Sequence, residues 1–479
     1  MKAKINLILI FLFSISTFAQ NITITGEVTS TEDGMPVPGV NVIVVGTSRG
    51  VTTDFDGLYS ILVNQGEVLE FSFIGLKTRT VTIGNQTVIN VAMEPDVEAL
   101  DEIVIVGYGT QKKADLTGSI STVSTESIEK TPASNVMQSL QGKVSGVQIV
   151  STGSPGGSPK VRLRGLGSYN DNNGNPLYVV DGMFYDNISF LNSKDIESLT
   201  VLKDASSSAI YGVRAANGVI IIKTKTGKKE QKPQFEYDGY TGVQYAQNVL
   251  KLANSEQFTT MVYESGSDAD IQFVLNAMQR FGRSRVNPNV PVPNTDWYDE
   301  ILRPGFISSH SIGVTGGAEN VSYSVGANYF SQEGILDMKN EYERFNIRAK
   351  VDVDISDRFK IGASTIFSNS TRYAEETTAF FQAYYAVPIM PVFDEQNTDA
   401  SPVRYSNAQL LGYRGTQNPF PVMRNNINEH KHRNLLANIY FEADIIPEKL
   451  TFKTSYNHDF TAIDDRFVRK PYTLGNNVE

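Results

Sequence analysis

"FNIRAKVDVDISDRFKIGASTIF", residues 345–367, decides the fold. Phe345, Ile347, Ala349, Val351, Val353 and Ile355 alternate with Asn346, Arg348, Lys350, Asp352 and Asp354. After the tight turn at Ser356, Asp357 and Arg358, the apolar row continues through Phe359, Ile361, Ala363, Thr365 and Phe367. A period of two is that of a β-strand, whose successive side chains point to opposite faces. One row suits lipid and the other a wet lumen, which lets charged side chains sit in a strand at membrane depth. The same alternation recurs in Leu435 to Ile445 and Leu450 to Phe460 around "IPEK", and in "SHSIGVTGG" and "VSYSVGANYF" around "AEN". From residue 230 onward the pattern predicts about seven antiparallel strands. Their tight turns alternate with long links at about 246–307, 331–343 and 369–433. An odd number cannot close a bacterial barrel, in which lipid demands that every strand edge be paired. The expected barrel is therefore incomplete, and "PYTLGNNVE" at the end lacks an aromatic closing strand.

Composition excludes several function classes. The net charge of −10 and the absence of a Lys/Arg run interleaved with aromatics, apart from "KTKTGKK" at 223–229, argue against nucleic acid as a partner. Cysteine is absent, which removes disulfides, thiolate metal sites, thiol nucleophiles and a lipid-modified cysteine. Lys2 and Lys4 precede the apolar run Ile5 to Phe13 and then "SISTFAQ". That is the pattern of a secretory signal peptide over residues 1–19, cut after Ala19, and the run is too short for a membrane-spanning helix.

Residues 20–94 read as a small β-sandwich of short strands, including "TITGEV", "VNVIVV", "VLEFSF" and "TVINVAM", separated by turn clusters. Inside it, "GTSRG" (46–50) matches a hydrolase nucleophile elbow, but strand, turn and strand follow where that chemistry needs a helix under Ser48. "DFDG" is an Asp-Gly turn rather than a calcium loop. Residues 95–114 form a linker holding "DEIVIVGYG", a short strand with no evident sheet to join. Residues 115–229 read as an α+β domain, with a helix near Val136 to Gln141, strands at Val161 to Leu163 and Leu177 to Val180, and the β-branched strand "GVIIIKTK". Its glycine-rich stretches fail as nucleotide fingerprints: Lys160 follows Pro159, and Asn170 stands where a third glycine belongs. His430 and His432, in "EHKHRN", have no third ligand nearby and read as part of a polar loop. No cofactor or metal is expected.

Four long blocks occur in order: "DEIVIVGYGTQKKADLTGSISTV", "SLQGKVSGVQIVSTGSPGGSPKVRLRGLGSY", "PLYVVDGM" and "ASSSAIYGVRAANGVIIIKTKTG". With the leading "GVNVIVVGTSRGVTTDFDGLYSI", the chain resembles SusC/RagA-like TonB-dependent transporters over essentially its whole length. The resemblance implies a mainly β protein of the cell outer membrane: a carboxypeptidase-regulatory-like β-sandwich, an α+β plug domain and, over residues 230–479, the first part of an antiparallel transmembrane β-barrel. It implies TonB-dependent import of a bulky oligosaccharide or peptide, powered through TonB, ExbB and ExbD, with a SusD-like surface lipoprotein as lid. It implies no enzyme activity. Asp101, Glu102, Ile103, Val104, Ile105, Val106, Gly107 and Tyr108 would form the TonB box, a strand free for another protein. Plug loops at 153–159, 169–175 and 183–193 would face the substrate through Ser154, Gly156, Gly157, Ser158, Tyr169, Asn170, Phe184 and Tyr185. Arg162 and Arg164, two apart on one strand face, would lock the plug to acids of the pore wall. The aromatic stretch 377–388 would serve lid contact, sugar stacking or a barrel-rim strand. A passive surface binding protein or adhesin is the alternative, but it has no use for a plug or a TonB box.

Overall fold

The computed structural model describes residues 21–47, 49–73, 76–94, 103–106, 109–112, 120–124, 128, 133–165, 174–282, 289–413, 417–447 and 449–474. The expected signal peptide, Ser48, Asp101, Glu102, Gly107, Tyr108, Tyr169 and Asn170 lie outside them. The chain divides into two compact units, Met1–Thr117 and Gly118–Glu479.

In the first unit, β1 (Asn21–Ser30), β4 (Leu58–Asn64) and β7 (Val91–Met93) form one sheet. β2 (Asn41–Val44), β3 (Gly50–Thr52), β5 (Val68–Phe73) and β6 (Leu76–Thr82) form another. Inward residues of both, among them Ile24, Val42, Leu69 and Phe71, make one buried core, as a sandwich requires. The "DFDG" segment is the expected turn: Asp54 Oδ1 accepts from the Asp56 and Leu58 amides, and Gly57 has φ +70°. The linker strand is not alone. β8 (Ile103–Val106) pairs with β9 (Gly109–Lys112) in a two-stranded antiparallel hairpin, Val104 opposite Gln111.

The second unit has an inner α+β domain and a sheet wall. Strand order in the inner sheet is β10 (Ile120–Ser124), β15 (Ile196–Leu202), β16 (Val219–Thr224), β13 (Leu177–Val180) and β14 (Met183–Tyr185). β11 (Val147–Val150) and β12 (Lys160–Leu163) form a separate ribbon. Helices α1 (Val136–Ser139) and α2 (Ala205–Ser208) start at Asn135 and Asp204, whose side chains accept from helix amides.

The wall is a seven-stranded antiparallel sheet in sequence order. It consists of β17 (Gln234–Gln244), β18 (Gly305–Gly317), β19 (Val321–Glu333), β20 (Glu341–Ser356), β21 (Phe359–Tyr373), β23 (Asn426–Ile446) and β24 (Leu450–Arg469). On β20 the usual burial rule is inverted: Phe345, Ile347, Val351 and Ile355 are exposed, while Arg344, Asn346 and Arg348 are buried. The apolar row faces away from the protein and the polar row faces the inner domain, the arrangement of a lipid-facing barrel wall.

The described residues of two long links, 245–282 with 289–304 and 374–413 with 417–425, fold together with Leu336 and Met338 of a third link into a helical subdomain at the end of the wall opposite the tight turns. It contains α3 (Ser255–Ser265), α4 (Asp268–Phe281), α5 (Trp297–Ile301), α6 (Thr378–Tyr385) and α7 (Phe420–Asn425). Their core joins Phe273, Val274, Trp297, Ala379, Ala383 and Met390, and the short pair β22 (Ala400–Ser401) and β25 (Thr473–Leu474) completes it. Two expectations are corrected here. Residues 378–385 are a helix rather than a rim strand, because Ala379 and Ala383, four apart, supply the buried stripe. His430 and His432 lie inside β23 rather than in a loop, and His430 Nδ1 contacts Asp465 Oδ1 at 2.7 Å. Above the apolar band a strand needs no alternation of hydrophobicity, so that signal fades while the ladder continues.

Candidate functional site

A single strand of the wall grips the inner domain along its length. The inward residues of β20 are Tyr342, Arg344, Asn346, Arg348, Lys350, Asp352 and Asp354, and each meets the inner domain or the segment leaving it. Tyr342 packs on Gly156, which has φ +60° and where a Cβ would overlap the Tyr342 ring. Arg344 Nη1 donates to the carbonyls of Ser134 (3.0 Å) and Ser189 (2.6 Å). Asn346 Nδ2 donates to the Phe190 carbonyl. Arg348 donates to Asp195 Oδ1 (3.0 Å), the Lys225 carbonyl (2.8 Å) and Ser324 Oγ (2.9 Å). Lys350 Nζ lies 3.5 Å from Asp181 Oδ2. Asp352 accepts from Thr226 Oγ1 at 3.2 Å and from the Tyr440 hydroxyl at 2.5 Å. Asp354 pairs with Lys229.

The strand period of two makes this ladder, because every second side chain of β20 turns inward at the same surface. Arg348 and Asp195 are both buried, at 4% and 8% exposure. A pair so desolvated is costly to break by removing one partner, since a buried charge is left behind. β17 adds two bridges of opposite sense, Asp238 to Lys194 (2.9 Å) and Glu236 to Lys225 (3.6 Å). These charges line a cavity of about 460 Å³ between the inner domain and the wall, together with Asp195 and Arg348. Among the described residues, Ile366 and Leu436 of the wall belong to the same buried cluster as the inner domain's core.

The sequence-derived site residues are placed as follows. In the 153–159 loop, Ser154 Oγ donates to Glu375, the Gly156 amide donates to Gln332 Oε1 (3.3 Å), and Asn187 Nδ2 donates to Ser158 Oγ (3.3 Å). This loop, which includes Gly157, is docked on the wall at least as much as it is open to solute. Phe184 is 38% exposed and meets Tyr211 edge-on at 6.0 Å, with the Arg214 guanidinium 5.7 Å from its ring. Tyr185 does not offer a free face. It is buried against Phe190 at 5.1 Å, and burial holds its phenol well above the usual range. The two are neighbours on β14, so they point to opposite sides.

Arg162 and Arg164 do not share a strand face either. β12 ends at Leu163, and Arg164 has turned to φ +57° with its amide donating to the Gly146 carbonyl (2.8 Å). The lock was expected to join plug cations to wall acids. Along most of β20 it is the reverse: the wall supplies Arg344, Arg348 and Lys350, and the inner domain supplies Asp195, Asp181 and backbone carbonyls, while Asp354 with Lys229 keeps the expected sense. The missed signal was the alternation itself, because a cation on the lumen row of a wall strand must find a partner inside.

A model of the TonB-dependent receptor plug domain matches residues 112–219, and a model of the CarboxypepD_reg-like domain matches residues 24–105. A TonB-dependent receptor of Formosa agariphila is 37% identical over 448 residues, covering 91% of this chain and 42% of the relative. The TonB-dependent receptor SusC of Bacteroides thetaiotaomicron is 31% identical over 507 residues, covering 99% of this chain and 48% of the relative. The solved RagAB peptide importer in its open-open state is 26% identical with a TM-score of 0.63, over 77% of this chain and 43% of that one. The chain thus spans less than half the length of the curated relatives it matches.

Proposed function

The chain belongs to the SusC/RagA-like TonB-dependent receptors of the outer membrane, and from that premise we propose that it imports a bulky oligosaccharide or peptide by gating its plug. The observation that carries this reading is the β20 ladder: a folded domain is seated inside a lipid-facing wall by polar and ionic contacts, which can part and re-form in water. A domain meant to stay would be packed against the wall by a dry apolar surface.

The pull is applied at the hairpin β8–β9, in the linker that precedes the plug. Two strands alone are marginal in water, so this ribbon is an inexpensive form in which to keep a recruitable strand. TonB, energised by ExbB and ExbD, adds to the ribbon edge or takes the place of β9 by main-chain hydrogen bonding. A SusD-like lipoprotein closes over the helical subdomain from outside. Loss of backbone donors, not of side chains, is what this mode feels. In the full-length transporter, Val104→Pro is expected to abolish crosslinking to TonB and energised uptake, while Val104→Ala retains both. Normal crosslinking and uptake in Val104→Pro would refute the coupling role, as would a simultaneous loss of membrane insertion.

A further inference from the structure

We infer that opening uncovers a cationic stripe on β20, and that the translocated substrate is an acidic oligosaccharide bearing sulfate or carboxylate groups. The inference rests on the gating reading above. Arg344, Arg348 and Lys350 face inward on one strand, and among the described residues their only carboxylate partners, Asp195 and Asp181, belong to the plug. Of the hydrogen bonds and ion pairs these three make, only that from Arg348 to Ser324 Oγ goes to the wall. When the plug moves, its acids and carbonyls move with it, and three positive charges are left facing the pore.

The acids of the two outermost wall strands are too far away to neutralise the stripe. Glu236 and Asp238 are on β17 and Asp459 is on β24, each three strands from β20. At about 4.8 Å per strand that is roughly 14 Å, beyond the Debye length of about 8 Å at physiological salt. Toward the tight turns the inward row of β20 itself becomes acidic at Asp352 and Asp354, so the cationic stretch runs from Arg344 to Lys350 and ends there. The rest of the face is mixed: the row of Arg348 is apolar at Ile366 and Leu436, while the rows of Asn346 and Lys350 carry amides and hydroxyls. Register carries Asn346 to Ser368, Asn434 and Thr461, and Lys350 to Ser364, Asn438 and Asn457. Amides and hydroxyls beside a line of cations suit a polyhydroxylated polyanion better than the apolar side chains of a peptide. Arginine's planar fork also matches sulfate or carboxylate oxygens two at a time.

The test uses the full-length transporter, in which the wall is a closed barrel, in a planar bilayer, with the plug loosened by urea and the current recorded while probes are added from the loop side. The probes are a dextran sulfate oligomer, a neutral dextran of equal length and an oligoglutamate. Dextran sulfate is expected to block the open pore at least about tenfold more strongly than neutral dextran, because charge-assisted contacts are available only to the former. Arg344→Gln/Arg348→Gln/Lys350→Gln should remove that preference. Arg344→Lys/Arg348→Lys should keep most of it, which separates loss of charge from loosening of the plug. Equal block by neutral dextran, or a preference untouched by the triple variant, overturns the inference. Stronger block by oligoglutamate overturns the assignment to a saccharide. A pore that never conducts while the plug unfolds overturns the gating reading itself, and the inference falls with it.

Discussion

Gly156 and the Arg348–Asp195 pair show what single residues contribute to holding the plug. At Gly156 two constraints coincide, a positive φ and a ring where a Cβ would stand. Gly156→Ala should therefore destabilise the seated loop by about 1–3 kcal/mol, as overpacking and left-handed strain do. The measurement is limited proteolysis of the plug in the membrane-embedded full-length transporter. Cleavage near 153–159 should accelerate, and unchanged protection would show that the loop is not pinned by Tyr342. For Arg348 and Asp195, removing either partner leaves a buried charge and should cost about 3–5 kcal/mol. The double variant Arg348→Leu/Asp195→Leu should recover much of the loss, and additive penalties in that thermal-unfolding cycle would contradict a direct pair. The residue scale is also where sequence reading was weakest. Phe184 and Tyr185 look alike in a string of letters, yet strand pleating exposes one and buries the other. Arg164 looked like a strand residue because nothing in "KVRLRG" announces the backbone turn that begins at its own φ.

Among elements, β20 was the most legible and the helical subdomain the least. The alternation from Phe345 to Ile355 exists because two solvents act on one strand, so a single sequence already contains both faces. Ile347 lies in the exposed row, and Ile347→Lys should destabilise the inserted wall by about 2–4 kcal/mol if that row meets the bilayer midplane. A urea titration of the full-length transporter refolding into lipid vesicles reads this directly. A loss below a few tenths of a kcal/mol would mean that the row does not face lipid. No comparable period marks α6, whose exposed Phe381, Tyr384 and Tyr385 outnumber its buried alanines in hydrophobic weight. Its helical character is visible only once Trp297 and Met390 are known to pack nearby, since both belong to the same core as Ala379 and Ala383. The two long links that build this subdomain are separated by four wall strands, and no local signal tells a reader that they meet. The linker strand was legible as a strand, but its partner β9 was not, because "GTQK" carries little strand propensity and pairs through its backbone.

For the whole molecule, the governing fact is that the wall has two ends. β17 pairs only with β18, and β24 pairs only with β23, among the described residues. Each outer strand thus presents a row of unpaired amides and carbonyls, and every such group costs several kcal/mol in hydrocarbon. Both faces of β24 are also open, with Phe452, Tyr456, Phe460 and Phe467 exposed. Strand count and the two faces were readable from the period of two, but closure is a property of the sheet as a whole. It depends on whether the first and last strands meet, and a seven-stranded sheet in which they do not is a wall rather than a pore. The 479-residue chain expressed alone is therefore expected neither to close nor to conduct. The check is electrophoresis of unheated and heated samples after refolding into detergent, combined with bilayer recording. A closed barrel resists unfolding in detergent and migrates faster before heating, so identical mobility and no channel activity are expected. A heat-modifiable band or steady conductance would mean that β17 and β24 find partners, through each other or through a second copy, and that the edges described here are not edges in a membrane.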